Sequence, residues 1–263
     1  MSAPSPAVVE LRDIELKFDT KTVLSGVSLE VEPLDRLVIL GQSGSGKSTI
    51  LRLILGILPP TEGSVFFKQF EVSRLPRRKL QKIRTQIGMV YQYSALLSSR
   101  NVRDNIALPL EELTRKTSAE IDKVVDEKLE MVGMRDVKNQ MPSELSGGMR
   151  KRVSLARALV MDPELILFDE PSAGLDPVIS SVIDELIIGL TENSKVTSVI
   201  VTHEMESAFR IGTKMAMLYQ GKILEMAPTE EFRKSKHPVV AQFLSGSPEG
   251  PILEGSQDAI ATK

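Results

Sequence analysis

The run Leu37-Val38-Ile39-Leu40-Gly41-Gln42-Ser43-Gly44-Ser45-Gly46-Lys47-Ser48 decides the fold. Four consecutive apolar residues read as a short strand covered on both faces, the habit of strands inside a parallel sheet. The eight residues that follow fit the phosphate-loop pattern G-x-x-x-x-G-K-[ST]. Behind them Ile50, Leu51, Leu53, Ile54 and Leu58 share one side of a helix, and Pro59-Pro60 is its expected stop, because proline donates no amide and restricts the residue before it. Strand, glycine loop and helix in this order make an α/β unit that holds an anion. The glycines let the backbone wrap closely, the loop amides and helix N-terminus point inward, and Lys47 brings a positive charge near the β and γ phosphates. Ser48 is placed to reach Mg²⁺ with its hydroxyl. The leading ligand is a nucleoside triphosphate.

Working outward, Val8 to Phe18 alternates apolar and polar residues, and Val27 to Val31 does so again after an expected turn at Ser25-Gly26, giving an early antiparallel pair. Ser64 to Phe67 and Gln86 to Tyr91 read as strands on either side of the basic segment Arg74 to Arg84. From Val102 to about Met161 the pattern is helical throughout, with Ile121, Val124, Val125, Leu129 and Val132 at amphipathic spacing. Leu165 to Phe168 and Ser198 to Val201 are again short buried strands, and Met215–Tyr219 with Lys222–Met226 close a hairpin around Gln220-Gly221. The expected architecture is α/β: a mixed-sheet core, an N-terminal antiparallel β subdomain, and an inserted helical subdomain over about residues 94–161. The main domain is expected over residues 1–245. Residues 246–263 are rich in Gly, Ser, Pro and charge, and read as a flexible tail or one ordered by a neighbouring subunit.

Composition narrows the function classes. The 33 basic and 35 acidic residues nearly cancel, so no basic field marks a nucleic-acid binder. Cysteine is absent, which excludes disulfides and thiolate metal sites. Met1 to Glu10 lacks the basic start and apolar stretch of a secretory signal. The longest apolar stretches, such as Leu51 to Leu58, fall far short of the roughly 20 residues that span a bilayer. Any membrane role is therefore expected to come through a partner.

Asp169 and Glu170 end the apolar run Leu165-Ile166-Leu167-Phe168, which sets two carboxylates at the carboxyl edge of a buried strand, where open α/β sheets bind ligands. Asp169 is expected to hold the Mg²⁺ shell, and Glu170, on the other side of the strand, to take a proton from attacking water. Between these two elements stands Leu145-Ser146-Gly147-Gly148-Met149, followed by the helical stretch Arg150 to Met161. Ser146 is a good N-cap, while Arg150, Lys151 and Arg152 crowd the positive end of that helix, which an incoming anion would relieve.

The Leu-Ser-Gly-Gly-Met stretch resembles the signature loop of ATP-binding cassette proteins, and the resemblance extends along the chain to about Leu244. It implies an ATPase that uses ATP and Mg²⁺. Gly41, Ser43, Gly44, Ser45, Gly46, Lys47, Ser48 and Thr49 would surround the phosphates, with Lys47 also catalytic. Phe18 resembles the aromatic that stacks on adenine, although a Phe ending an alternating strand fits a core position equally well. Gln92 matches the Q-loop glutamine that reaches Mg²⁺, and Asp176, in Gly174-Leu175-Asp176, the loop that crosses to a second subunit. His203, after Val199-Ile200-Val201-Thr202, matches the switch histidine at the γ phosphate. In the family Ser146, Gly147 and Gly148 contact the γ phosphate held by the other subunit, so a second copy of the chain is an implied partner.

Tyr91 to Leu97, Asn101 to Leu110, Pro142-Ser143-Glu144, Met149 and Ala173-Gly174-Leu175-Asp176-Pro177 are similar to the maintenance-of-lipid-asymmetry ATPases. That likeness implies phospholipid transport with integral membrane permease subunits and an MCE-domain protein, at the cytoplasmic face of the bacterial inner membrane. An importer of amino acids or another small solute is the alternative.

Overall fold

The molecule is described by a computed structural model over residues 7–252. In chain order the strands are β1 (Val9–Phe18), β2 (Lys21–Val31), β3 (Arg36–Leu40), β4 (Glu62–Phe67), β5 (Phe70–Glu71), β6 (Ile87–Val90), β7 (Leu165–Asp169), β8 (Thr197–Thr202), β9 (Lys214–Tyr219) and β10 (Lys222–Pro228). The helices are α1 (Lys47–Ile54), α2 (Arg77–Arg84), α3 (Val102–Leu113), α4 (Ser118–Met131), α5 (Gly147–Leu159), α6 (Pro177–Ser194), α7 (Met205–Ile211), α8 (Thr229–Phe232) and α9 (Pro238–Ser245).

Two sheets result. One is antiparallel, in the order β2-β1-β4-β5; the other runs β10-β9-β3-β8-β7-β6, with five parallel strands and β10 as an antiparallel edge. The unbroken apolar runs make sense in the larger sheet, because successive side chains of a strand enter opposite layers. Leu37 and Ile39 join Leu165 and Leu167 in a core shared with β1, β2 and α1. Val38 and Leu40 join Ile166 and Phe168 in a second core, closed by α3 to α7. The ligand-binding edge is thus gripped from both faces.

Several expectations need correction. The turn between β1 and β2 lies at Asp19-Thr20, not Ser25-Gly26. Gly26 instead forms an irregularity inside β2, where the pairing steps from Ile14↔Val27 to Leu16↔Leu24, and the Ser25 amide donates to the Gly221 carbonyl at 2.8 Å. Helix α1 stops at Ile54, well before the prolines. Gly56 takes φ 63°, and the Gly56 and Ile57 amides return to the carbonyls of Leu53 and Arg52, closing the helix with the paired bonds of a Schellman motif. The stretch from Val102 to Met161 is three helices, separated by loops and the short 3₁₀ turns Arg135–Val137 and Pro142–Glu144. The basic segment supplies α2, in which Arg77, Arg78, Lys79 and Lys82 are exposed, while Arg84, beside the buried Ile83, donates to the carbonyls of Leu55 at 2.9 Å and Gly56 at 3.0 Å.

Of the expected tail, residues 246–252 are described. Ile252 is buried in the core, and its amide donates to Gln242 Oε1 at 2.8 Å, so the chain folds back onto α9. The remainder of the expected tail, residues 253–263, lies outside the described residues. Among the described residues no helix is long and apolar enough to cross a membrane.

Candidate active site

Helix α1 begins at Lys47 behind Gly46, which offers no capping side chain. Its first amides are therefore left for a ligand, the arrangement that binds phosphate. The loop could not be built otherwise at Gly41, where an added Cβ would stand 2.3 Å from the Leu218 carbonyl oxygen. Lys47 is buried and its Nζ donates to the carbonyls of Gly41 at 2.7 Å and Gln42 at 3.0 Å, folding the loop around its own ammonium. Burial pushes the Lys47 pKa below the usual lysine value, with Glu170 and Asp169 opposing the shift.

Strands β3, β7 and β8 end side by side, and their exits deliver the acidic and imidazole groups. Ser48 Oγ donates to Asp169 Oδ1 at 2.8 Å. Glu170 Oε1 is 3.9 Å from Lys47 Nζ, while Glu170 Oε2 is 2.9 Å from His203 Nδ1 and accepts from the His203 amide at 3.3 Å. Glu170 holds a left-handed backbone, φ 50°, a conformation costly for a residue with a Cβ. A cleft of about 430 Å³ opens here, with Ser43, Gly44, Gly46, Lys47, Ser48 and Thr49 on one side and Gln92, Glu170 and His203 on the other. Val23 also lines it, a contact the sequence reading did not include. Ser45 Oγ is buried beside Gly41 and has no hydrogen-bond partner among the described residues.

The residues fit a magnesium nucleotide. A hydroxyl, a carboxylate and an amide oxygen are the hard donors Mg²⁺ prefers. Among the described residues no group of three or more His, Cys, Asp or Glu could hold a metal alone. Ser48, Asp169 and Gln92 would supply part of a shell that phosphate oxygens and water complete.

Other expected site residues lie elsewhere on the protomer. Ser146 caps α5, accepting from the Met149 amide at 3.3 Å. Asp176 caps α6, accepting from the Val178 and Ile179 amides at 3.1 Å each. Gly147 and Gly148 pack against Leu175 and Ile179, so the signature turn and the start of α6 form one surface. Phe18 is 48% exposed at the end of β1 rather than in the core. None of Phe18, Ser146, Gly147, Gly148 or Asp176 lines the cleft.

The basic crowd at the start of α5 is turned inward more than expected. Arg150 donates to the Leu145 carbonyl, and Lys151 to the carbonyls of Gln92 and Glu170. Farther along the same helix, Ser154 and Arg157 donate to Ser94, and Arg157 also to Ala95. The sequence reading missed this face; its signal was three polar residues, 151, 154 and 157, repeating at helical spacing among apolar ones.

Residues 24–173 match the family profile described as ABC transporter. The chain belongs to the ABC transporter family. This ABC protein is 39% identical, over 95% of its length and 72% of the relative's, to the probable ribonucleotide transport ATP-binding protein mkl of Mycobacterium leprae. It is 37% identical, over 93% of both chains, to the intermembrane phospholipid transport system ATP-binding protein MlaF of Haemophilus influenzae. Among solved structures, a dimeric ATP-binding cassette in a post-hydrolysis state with ADP and Pi bound superposes with TM-score 0.77 at 32% identity, covering 84% of this chain and 98% of that one. The ABC protein is thus an ATPase and the ATP-binding subunit of a transporter.

Proposed function

We propose that this subunit drives phospholipid movement between membranes, in a complex with integral membrane permease subunits and an MCE-domain protein at the cytoplasmic face of a bacterial inner membrane. The observation that carries the reading is its 37% identity to an intermembrane phospholipid transport ATP-binding protein across 93% of both chains.

Two copies work as a sandwich. The cleft around Lys47 binds the triphosphate, and the Ser146–Gly148 turn, which does not line its own protomer's cleft, serves the partner's nucleotide. Bound Mg²⁺ would neutralise charge between the β and γ phosphates, with Ser48, Asp169 and Gln92 as its protein donors. Glu170 orients water and accepts its proton, held in place by His203. Lys47 and the amides at the start of α1 stabilise the phosphate charge. A groove of about 360 Å³ beside the Q-loop, with Met89, Tyr91, Leu108 and Pro109 among its walls, receives a cytoplasmic helix of the permease. Closure of the two copies is passed through that groove.

The mycobacterial relative, a probable ribonucleotide transport ATP-binding protein at similar identity, favours small-solute import as the second reading. Co-purification with a tagged chain separates the two. A multi-helix permease and an MCE-domain protein are expected, with ATP-dependent transfer of labelled phospholipid between vesicles by the reconstituted complex. Recovery of a periplasmic solute receptor instead, with no lipid transfer, would overturn the lipid reading.

A further inference from the structure

We propose that Lys151 is a positioning residue that ties the main chain of Glu170 to that of Gln92, so that the loop facing the membrane partner and the carboxylate facing water move together. The proposal rests on the reading of Glu170 as the base. Strands β6 and β7 pair in parallel up to Val90↔Phe168. Two residues farther on, Gln92 and Glu170 have left the ladder, and the Lys151 ammonium bridges their carbonyls, at 3.0 Å to Glu170. A side chain from α5 thus continues the connection where the two backbones part.

The choice of lysine here is physically expensive. Lys151 is 5% exposed, and among the described residues it makes no ion pair within 4.0 Å. A buried cation whose nearby carboxylates, Glu170, Glu204 and Asp169, lie beyond ion-pair distance costs free energy that an apolar residue of similar length would avoid. What the ammonium offers in return is several donors on one atom, enough to collect two carbonyls from separate segments.

Both segments hold backbone that needs such support. Glu170 stands at φ 50°, and Ser94 and Ala95 follow Gln92 at φ 60° and 48°. Residues in these regions persist only where their surroundings over-determine them. The Q-loop has Ser154 and Arg157 as further donors, to Ser94 and Ala95. Glu170 has its amide on the Val201 carbonyl and its own carbonyl on Lys151 and the Ala173 amide. Of the three α5 side chains that hold the Q-loop, Lys151 alone also reaches Glu170. A shift of the Q-loop would therefore reach the Glu170 peptide through one atom.

The test uses the purified full chain, with steady-state ATP hydrolysis read as kcat and KM and nucleotide affinity read by titration with a fluorescent ATP analogue. Lys151→Met and Lys151→Ala are each expected to lower kcat on the order of tenfold to a hundredfold, since a small misplacement of a reacting group costs that much. Affinity is expected to stay within about twofold, because Lys151 does not line the cleft. Ser154→Ala, which loses only a bond to Ser94, is expected to keep kcat near wild type. Wild-type kcat in either lysine variant overturns the proposal, as does an equal loss in Ser154→Ala, which would mean that packing of α5 on the Q-loop is what matters. A joint fall of kcat, affinity and melting temperature also overturns it, marking Lys151 as fold support. Glu170→Gln is measured in parallel: normal turnover there removes the base assignment and this proposal with it, whereas an inactive Glu170→Gln beside a normal Lys151→Met removes the lysine alone.

Discussion

Ser48 Oγ donates to Asp169 Oδ1 at 2.8 Å, joining the start of α1 to the end of β7 across 121 residues of chain. A cation entering here meets a hydroxyl and a carboxylate already side by side. Chelation of divalent metal is therefore expected to stop hydrolysis. Asp169→Asn, which keeps an acceptor for Ser48 but loses the charge, is expected to raise the Mg²⁺ concentration needed for half-maximal turnover at least about tenfold. Phosphate release against a magnesium titration measures this, and an unmoved midpoint would count against Asp169 as a metal donor.

Binding and turnover are expected to separate by residue. Glu170→Gln keeps the side-chain size and a hydrogen-bond partner for His203 but cannot take a proton, so ATP binding is retained while turnover falls by about 10²-fold or more. Lys47→Ala instead removes the ammonium that shapes the loop through Gly41 and Gln42, and is expected to weaken nucleotide binding itself. A nucleotide titration beside a hydrolysis assay distinguishes the two; equal affinity losses in both variants would contradict the division of roles.

Adjacent signature glycines are expected to differ. A Cβ on Gly148 would fall 2.5 Å from Ile179 Cγ2, whereas one on Gly147 would meet Leu175 at 3.3 Å. Gly148→Ala must displace the Ile179 side chain and is expected to cost about 1–3 kcal/mol, the range for overpacking, with weaker ATP-dependent dimerisation. Gly147→Ala should disturb both less. Urea denaturation and sedimentation with the non-hydrolysing Glu170→Gln background check the order.

Stability should also depend on pH through Lys151. Burial lowers its pKa to about 8. An exposed lysine titrates near about 10.4. Between those values the unfolded chain keeps a proton that the folded chain has lost, so folding grows more favourable as pH rises across that window. Relative to Lys151→Met, wild type is expected to gain stability from about pH 8 to about pH 10 in denaturant unfolding. A difference independent of pH would show that the ammonium stays charged.

How much was legible depended on how local the cause was. The limits of β3 follow from four apolar residues ended by a glycine, and the β9–β10 hairpin from Gln220-Gly221, and both fall where the sequence placed them. Ser25-Gly26 misled because its role is set by pairing with β1 and by the distant Gly221 carbonyl, which no neighbouring residue announces. The early end of α1 was visible in principle, since Gly56 is a helix-closing residue, but the prolines drew the boundary onward. In the site, Lys47, Ser48, Gln92, Asp169, Glu170 and His203 converge because each follows a strand or opens a helix at the same sheet edge. Lys151 escaped because its acceptors are main-chain carbonyls, 59 and 19 residues away, and a carbonyl carries no mark of residue type.

Gly56 offers a control that touches no nucleotide. Its φ of 63° and the 2.7 Å approach of a would-be Cβ to Val72 Cγ1 leave no room for a side chain. Gly56→Ala is expected to destabilise by about 1–2 kcal/mol. ATP affinity should hold, since α1 is disturbed at the end far from the cleft; calorimetric unfolding with a nucleotide titration reads both.

The bare start of α1 has a consequence for the living cell. Gly46 gives the helix no cap and its first turn holds no acidic residue, so the triphosphate itself completes the element. At ATP levels about a hundredfold above the dissociation constant, occupancy alone adds about 2.7 kcal/mol to folding. Loss of ATP would then loosen the protein as well as idle it, and its lifetime against proteolysis would track the ATP supply.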